Sequence, residues 1–318
     1  MSRLVFAATL LTLAIYPTDD SLLARTIDDF SAGPFAIEVL RYETESTTLN
    51  SLPADRILGG SRFVTLNGLG PSAISSVRVG VDTAQQVFRY DADPGASAAN
   101  FWVTYGKEAN LHANLLADGA NALVFDFQFA NFEPGSGALD VTIGLAVAPN
   151  YERGYLFMPV PNSLVPFSLV LPFNAFGWNG HNPNYIDVNQ ISFGTSNGIL
   201  RGDFALTGVR TAFFPEGDYN YDGSVNSLDY LVWKSNFGDP GPYPRGYPIH
   251  PADGNRNGLV DAADYLIWRD NLGASASAAS VLAVPEPNCC LIALLAVIGS
   301  MVSTRTRMRD CARFHSLS

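Results

Sequence analysis

Oxygen-bearing side chains recur at nearly two-residue steps in two stretches of the chain, 35 residues apart. Asp218, Asn220, Asp222, Asn226 and Asp229 form the first series; Asp253, Asn255, Asn257, Asp261 and Asp264 form the second. Counted from the leading aspartate these are positions 1, 3, 5, 9 and 12, and position 6 is glycine in both copies, Gly223 and Gly258. With the main-chain carbonyl of position 7, Ser224 or Leu259, each series can wrap a hard cation in six or seven oxygens. Glycine permits the turn this requires. Each series also gathers three aspartates, whose like charges repel at close range without a divalent ion. We therefore expect two calcium ions, one per series. Position 12 is Asp, one methylene shorter than the usual Glu, so its carboxylate reaches less far into the loop.

These loops belong to a longer duplication. Gly217 to Gly238 aligns with Ala252 to Gly273 over 22 positions without a gap, and the residues after each loop predict a short helix. The duplication, the Asp at position 12 and the helices resemble type I dockerin repeats. The resemblance implies two loop–helix units in pseudo-twofold symmetry, with the residues above as calcium ligands. It also implies that Val225 and Val260, at position 8, pair across the loops. Leu231, Trp233 and Phe237 would then meet Leu266, Trp268 and Leu272 in a shared apolar seam, with both tryptophans as core. Members of the family bind cohesins. Many carry Ser-Thr just before the last ligand, where this chain has Ser227-Leu228 and Ala262-Ala263, which argues against a cohesin. Residues 239–251, rich in proline, read as a stiff connector.

Upstream, from residue 25 to about 213, the dominant signal is period-2 alternation, which sends every second side chain to one face of a strand. Val77, Val79 and Val81 show it, as do Leu123, Phe125, Phe127 and Phe129, and Leu139 through Val147. Further strands are expected at 62–66, 101–105, 167–171, 185–193 and 204–209, with turns at clusters such as Asp118-Gly119. Eight to ten strands in this length predict a mainly β fold, a jelly-roll-like β-sandwich. Ile27-Asp28-Asp29-Phe30, Gly59-Gly60-Ser61-Arg62 and a closing strand from Leu200 to Val209 resemble, in their order, the galactose-binding-like sandwiches. That resemblance implies a glycan held on aromatic faces. Trp102, Tyr105, Tyr151, Tyr155, Trp178 and Tyr185 could supply such faces. Trp178 is the foremost candidate, because residues 176–182 read as a loop rich in glycine and asparagine.

The two ends read as targeting segments. Arg3 and an apolar run from Leu4 to Tyr16 predict an export signal over 1–24. Past the module at 214–273 and a linker at 274–283, Val284, Pro285, Glu286 and Pro287 precede an apolar run to Val302 and then Arg305, Arg307, Arg309 and Arg313. This order, over 284–318, resembles the PEP-CTERM sorting tag, implying transient membrane insertion and processing by an exosortase. A run of 14 residues is short for a permanent span of about 20.

Composition narrows the function. A net charge of −11 and only two lysines, Lys107 and Lys234, leave little to grip phosphate backbones, so nucleic acid is not an expected partner. Cys289, Cys290 and Cys311 all lie in the tail, so the body has no thiol for a disulfide or nucleophile. No catalytic motif is present, and the acids Asp126, Glu133, Asp140 and Glu152 cannot be paired from sequence. We expect no enzyme, but an exported cell-surface or matrix protein whose sandwich contacts polysaccharide. The alternative is a scaffolding protein that docks a surface protein through the calcium module. A divergent polysaccharide hydrolase is the third reading.

Overall fold

The computed structural model describes residues 25–40, 42–68, 76–92, 99–133, 138–145, 152–178, 185–195, 202–240 and 250–276. For 138–145, 152–153, 155, 157–159 and 177–178 it describes the backbone alone. The expected export signal and sorting tag, together with Tyr151, lie outside the described residues.

Fourteen strands occur among the described residues: β1 (Thr26–Asp28), β2 (Phe35–Val39), β3 (Thr44–Leu49), β4 (Arg62–Gly68), β5 (Val77–Asp82), β6 (Val87–Ala92), β7 (Ala99–Tyr105), β8 (Ala122–Phe132), β9 (Ala138–Leu145), β10 (Glu152–Pro159), β11 (Phe167–Pro172), β12 (Gly177–Trp178), β13 (Val188–Gly194) and β14 (Gly202–Ala212). They form two antiparallel sheets. The first runs β11-β8-β14-β6-β5-β2, with β1 beside β14; the second runs β12-β10-β9-β13-β7-β4-β3. Two helices, α1 (Ser227–Ser235) and α2 (Ala262–Asp270), follow. The fold is mainly β, a sandwich followed by a small helical module.

Alternation explains the core. In β5 the valines are buried while Arg78 and Asp82 face solvent. Phe88 and Phe204 of the first sheet meet Phe101 and Phe193 of the second, with ring centroids 5.7 to 6.3 Å apart. The alternation read along β8 breaks at one point. Phe129 pairs with Ala205 but Phe127 with Leu206, so Gln128 is an extra residue. This bulge flips the strand's faces: Ala130 and Phe132 are buried, and Phe129 turns outward to lie under Arg89.

A buried ion pair ties the sheets together at the start of the domain. Arg62 on β4 donates from Nε and Nη2 to the two carboxylate oxygens of Asp28 on β1, each at 2.7 Å. The Tyr105 hydroxyl on β7 and the Phe30 N–H also donate to that carboxylate. Burial opposes charge on both partners. The Asp28 charge and its hydrogen bonds outweigh burial for Arg62, whose pKa lies above its ordinary value. Every lone pair left on the carboxylate has a donor, which is the condition for burying such a pair. The two short motifs that open the sandwich thus meet in space.

The sandwich and the helical module lie in one compact unit. Asn121 joins them: its side-chain amide donates to the carbonyl of Phe214 at 2.7 Å and accepts from the Phe214 N–H at 3.0 Å.

Candidate metal centre

Each loop is closed by the same set of internal hydrogen bonds. Asp218 accepts from the N–H groups of Asp222 and Gly223 at 3.1 and 2.8 Å, and Asp253 from those of Asn257 and Gly258 at 3.1 and 2.8 Å. Asn220 and Asn255 each accept from position 5 at 2.9 Å. Position 5 in turn accepts from position 7 at 2.9 Å in both copies. Two symmetric wrapped loops result, each leading into its helix through a reciprocal capping box, Asn226 with Asp229 and Asp261 with Asp264.

The wrap demands backbone conformations that the motif alone does not announce. Gly223 and Gly258 have φ of 88° and 87°, as position 6 requires. Position 4 is also left-handed, at Tyr221 (φ 57°) and Arg256 (φ 60°). A non-glycine residue there costs on the order of 1 kcal/mol, a cost the other interactions of the loop must offset.

The donor set fits a hard cation. In the first loop the Asn226 amide nitrogen lies 3.3 Å from an Asp222 carboxylate oxygen and 3.1 Å from the Ser224 carbonyl, and the Asn220 amide lies 2.9 Å from the same Asp222 oxygen. Positions 3, 5, 7 and 9 therefore converge. In the second loop Asn257 reaches Asp261 at 3.2 Å. Burial, eased by the Gly223 N–H, and the charges of Asp229 and Asp222 push the Asp218 carboxyl up to about 7. Among the described residues no three acidic, histidine or cysteine side chains form a metal-binding group by themselves. A cation held here would need the amide and main-chain oxygens as well, a mixed oxygen set that calcium accepts. Asp229 accepts from three N–H groups, those of Tyr219, Asn220 and Asn226, which leaves roughly one of its four acceptor positions for an ion.

The helices pack differently from the expected seam. Leu231, Phe237, Leu266 and Leu272 are 56, 57, 45 and 55% exposed. The interior is built instead from Tyr219, Ala252 and Val260, with Val232, Trp233 and Trp268 packed on it. Nine-residue helices crossing at the loops bury one narrow stripe, and the tryptophans fill it. Val225 and Val260 do not pair with each other either. Val225 exchanges main-chain hydrogen bonds with Gly273 and Ala274, and Val260 with Gly238 and Asp239. Each loop therefore pairs with the chain leaving the other unit's helix, a contact in which the repeat's closing glycines, both left-handed, take part.

The aromatic candidates on the sandwich separate. Tyr105 is buried on Asp28, and Tyr185 is buried, stacked on Phe173 and donating to its carbonyl. Neither is open to a ligand. Trp102 is half-buried on the outer face of the second sheet, with Thr65 and Gly194 as its register partners. Trp178 lies on the edge strand β12 opposite Gly154 of β10 rather than in a loop, and Tyr155 is on β10 opposite Gly177. Of the acids, Asp126 is on the outer face of the first sheet, bonded to Arg210 and Ser168, whereas Asp140 and Glu152 are on strands of the second.

Residues 216–273 match the family model described as the dockerin type I domain. No curated protein matches the chain. Among solved structures, the chain is similar to a family 11 carbohydrate-binding module from Clostridium thermocellum in complex with a β-1,3-1,4-mixed-linked tetrasaccharide. That match has 11% identity, covers 60% of this chain and 95% of that one, and has a TM-score of 0.34. The same module of the cellulosomal cellulase Lic26A-Cel5E matches at 11% identity over 59% and 94%, with a TM-score of 0.33. The enzymatically active domain of bacteriophage CBA120 tailspike protein 4 matches at 14% identity over 57% and 20%, with a TM-score of 0.25. Likenesses of this extent say nothing of what the sandwich binds. By that match, residues 216–273 are similar to dockerin type I domains.

Proposed function

We propose that this chain is an exported, non-catalytic surface protein that takes up two calcium ions at residues 216–273, docks a protein partner through that module, and contacts extracellular polysaccharide through its sandwich. The observation that carries the reading is the pair of loops, which share one hydrogen-bond scheme at positions 1, 3, 5 and 7. Calcium would be held by Asp218, Asn220, Asp222, Ser224, Asn226 and Asp229 in one loop and Asp253, Asn255, Asn257, Leu259, Asp261 and Asp264 in the other. When bound, the ion neutralises the aspartates and holds the loops wrapped.

Partner docking is supported by the apolar side chains the module leaves outside its own core. Leu231 and Leu266 occupy equivalent places on α1 and α2, as do Phe237 and Leu272 just beyond them, and all four are exposed. Such residues are common at protein interfaces. A cohesin-type protein is the partner class that the dockerin match implies, and Ser227-Leu228 and Ala262-Ala263 would alter which member is recognised. Pull-down from the parent envelope with calcium, and again with EGTA, tests this. Capture that needs calcium and is lost in Leu231→Asp/Leu266→Asp supports docking. Capture unaffected by both treatments contradicts it.

For polysaccharide, the support is Trp102 on a strand face that also carries Phe63, with Lys107 over its ring, and the neutral polar residues Thr65, Asn67 and Asn100. An aromatic ring flanked by amides and hydroxyls matches the alternating apolar and hydroxyl faces of a sugar. Trp178, on the edge strand of the same sheet, is a second stacking residue in this reading. Export by the signal at 1–24 and processing by an exosortase at the tag over 284–318 complete the proposal.

A further inference from the structure

The two calcium loops differ at position 4, the left-handed residue. In the second loop it is Arg256, a charged and exposed side chain. In the first it is Tyr221, whose ring turns from the loop toward the sandwich. Its ring stands edge-on to Phe214, centroids 5.4 Å apart at 76°. Both rings pack on a separate apolar cluster of Ala122 and Val124 on β8, Val170 on β11 and Ala212 on β14. That cluster lies on the outside of the first sheet, away from the sandwich core. The dockerin module is thus seated on the sandwich through a residue of its own metal loop.

We propose that the first loop and the sandwich form a calcium-linked joint: an ion in that loop holds Tyr221 against the outer face of the first sheet, and this seating makes the first loop the tighter of the two sites. The proposal rests on the calcium reading above. Tyr221 lies between Asn220 and Asp222, at ligand positions 3 and 5, so its left-handed backbone is set by the wrap around the ion. Without the ion Asp218, Asp222 and Asp229 repel, the wrap relaxes, and Tyr221 leaves the sheet. The root of the connection does not depend on the ion. Asn121 holds Phe214 with two hydrogen bonds that involve no loop residue, so release is confined to the chain beyond it, at Pro215 to Gly217. Linkage makes the effect reciprocal: whatever the ion contributes to seating, seating returns to the affinity of that site. Arg256 lines the same cleft beside Asn121, Ala122 and Tyr221, but it joins no apolar cluster of the sheet, so the second loop gains less from seating than the first.

The test uses the full chain. Calcium uptake is followed by titration calorimetry, and hydroxyl-radical footprinting reads side-chain exposure in calcium and in EGTA. The reporters are Tyr221 on the module and Val170 on the sandwich. Because Val170 belongs to the sandwich, its exposure reports unseating rather than loosening of the loop. The expected result is two sites of unequal affinity, with Val170 and Tyr221 both several-fold more reactive in EGTA. Tyr221→Arg, which copies the second loop, should expose Val170 even in calcium. It should weaken the first site by about tenfold, within the usual range of coupling between sites, and the second by less, through the helices the two loops share. Absence of any uptake would overturn the calcium reading itself. Uptake of two ions with Val170 equally protected in calcium and EGTA would leave that reading standing and overturn the joint. So would two sites of equal affinity that Tyr221→Arg does not separate.

Discussion

The indole N–H of Trp233 donates to the main-chain carbonyl of Asp261, 2.8 Å away, and so fastens the first helix to position 9 of the second loop. Trp268 returns the bond to Asn226 at 2.7 Å. With Tyr230 and Tyr265 the two tryptophans form a cluster whose centroids lie 5.1 to 6.2 Å apart. Neither loop can rearrange without disturbing the helix of the other unit.

Coupling between the calcium sites follows from this exchange. Asp253→Ala should abolish the second site and also weaken the first, whereas Trp233→Phe should keep both sites but reduce their cooperativity. Removing the indole donor costs about 1 kcal/mol. Calorimetric titration of each variant resolves the two sites, and an Asp253→Ala chain whose remaining site matches the wild type would show them independent.

The buried pair of Arg62 and Asp28 sets a stability expectation with a pH signature. Arg62→Met leaves a carboxyl buried with no cation, at a cost of about 3–5 kcal/mol, whereas Arg62→Met/Asp28→Leu should recover much of it. Burial pushes the Asp28 carboxyl above its ordinary value, and without Arg62 nothing of opposite charge counters it. A raised folded-state pKa gives stability that is present at low pH and lost as pH rises. The single variant should therefore weaken, relative to wild type, as pH rises through and above the ordinary aspartate range in chemical denaturation. A flat difference would mean that Asp28 is not the buried charge responsible.

Much of this was legible in the residues, and what was not has identifiable causes. The loops, their helices and the β character followed from oxygen spacing and period-2 alternation. β1, β3 and β12, of three, six and two residues, are too short or too polar to show alternation. The bulge at Gln128 inverted one face in mid-strand, so Phe129 read as core. The helical seam was misassigned because a nine-residue helix has room for only one buried stripe, and apolar residues on its other faces look the same in sequence. The seat of Tyr221 on the sandwich had no sequence signal, since it depends on a long-range contact.

Trp102 provides the test of the sugar surface. Trp102→Ala should lower retention in affinity electrophoresis against soluble neutral polysaccharides by about tenfold or more, in line with the loss of one stacking ring. Trp178→Ala should also lower it if β12 carries the edge of the same surface. Retention unchanged in both would remove the second sheet as the ligand face.

Processing of the tag is read by mass. Protein recovered from the cell surface should end near Pro287, having lost the apolar run and the arginines behind it. An intact mass that still includes residues 289–318 would make the segment a retained anchor.

The central claim is that residues 216–273 fold around two ions. A duplicated segment of this size, with a core of few residues and no disulfide, depends on ion binding for much of its folding free energy. The most direct measurement is calorimetric titration of EGTA-stripped protein, paired with hydrogen exchange over Ser227–Ser235 and Ala262–Asp270. The account predicts two calcium ions per chain, magnesium a poor substitute, and strong protection of both helices only when calcium is present. No uptake at millimolar calcium, or equal protection of the helices with and without it, would contradict the account and leave the repeat as a packed helical pair.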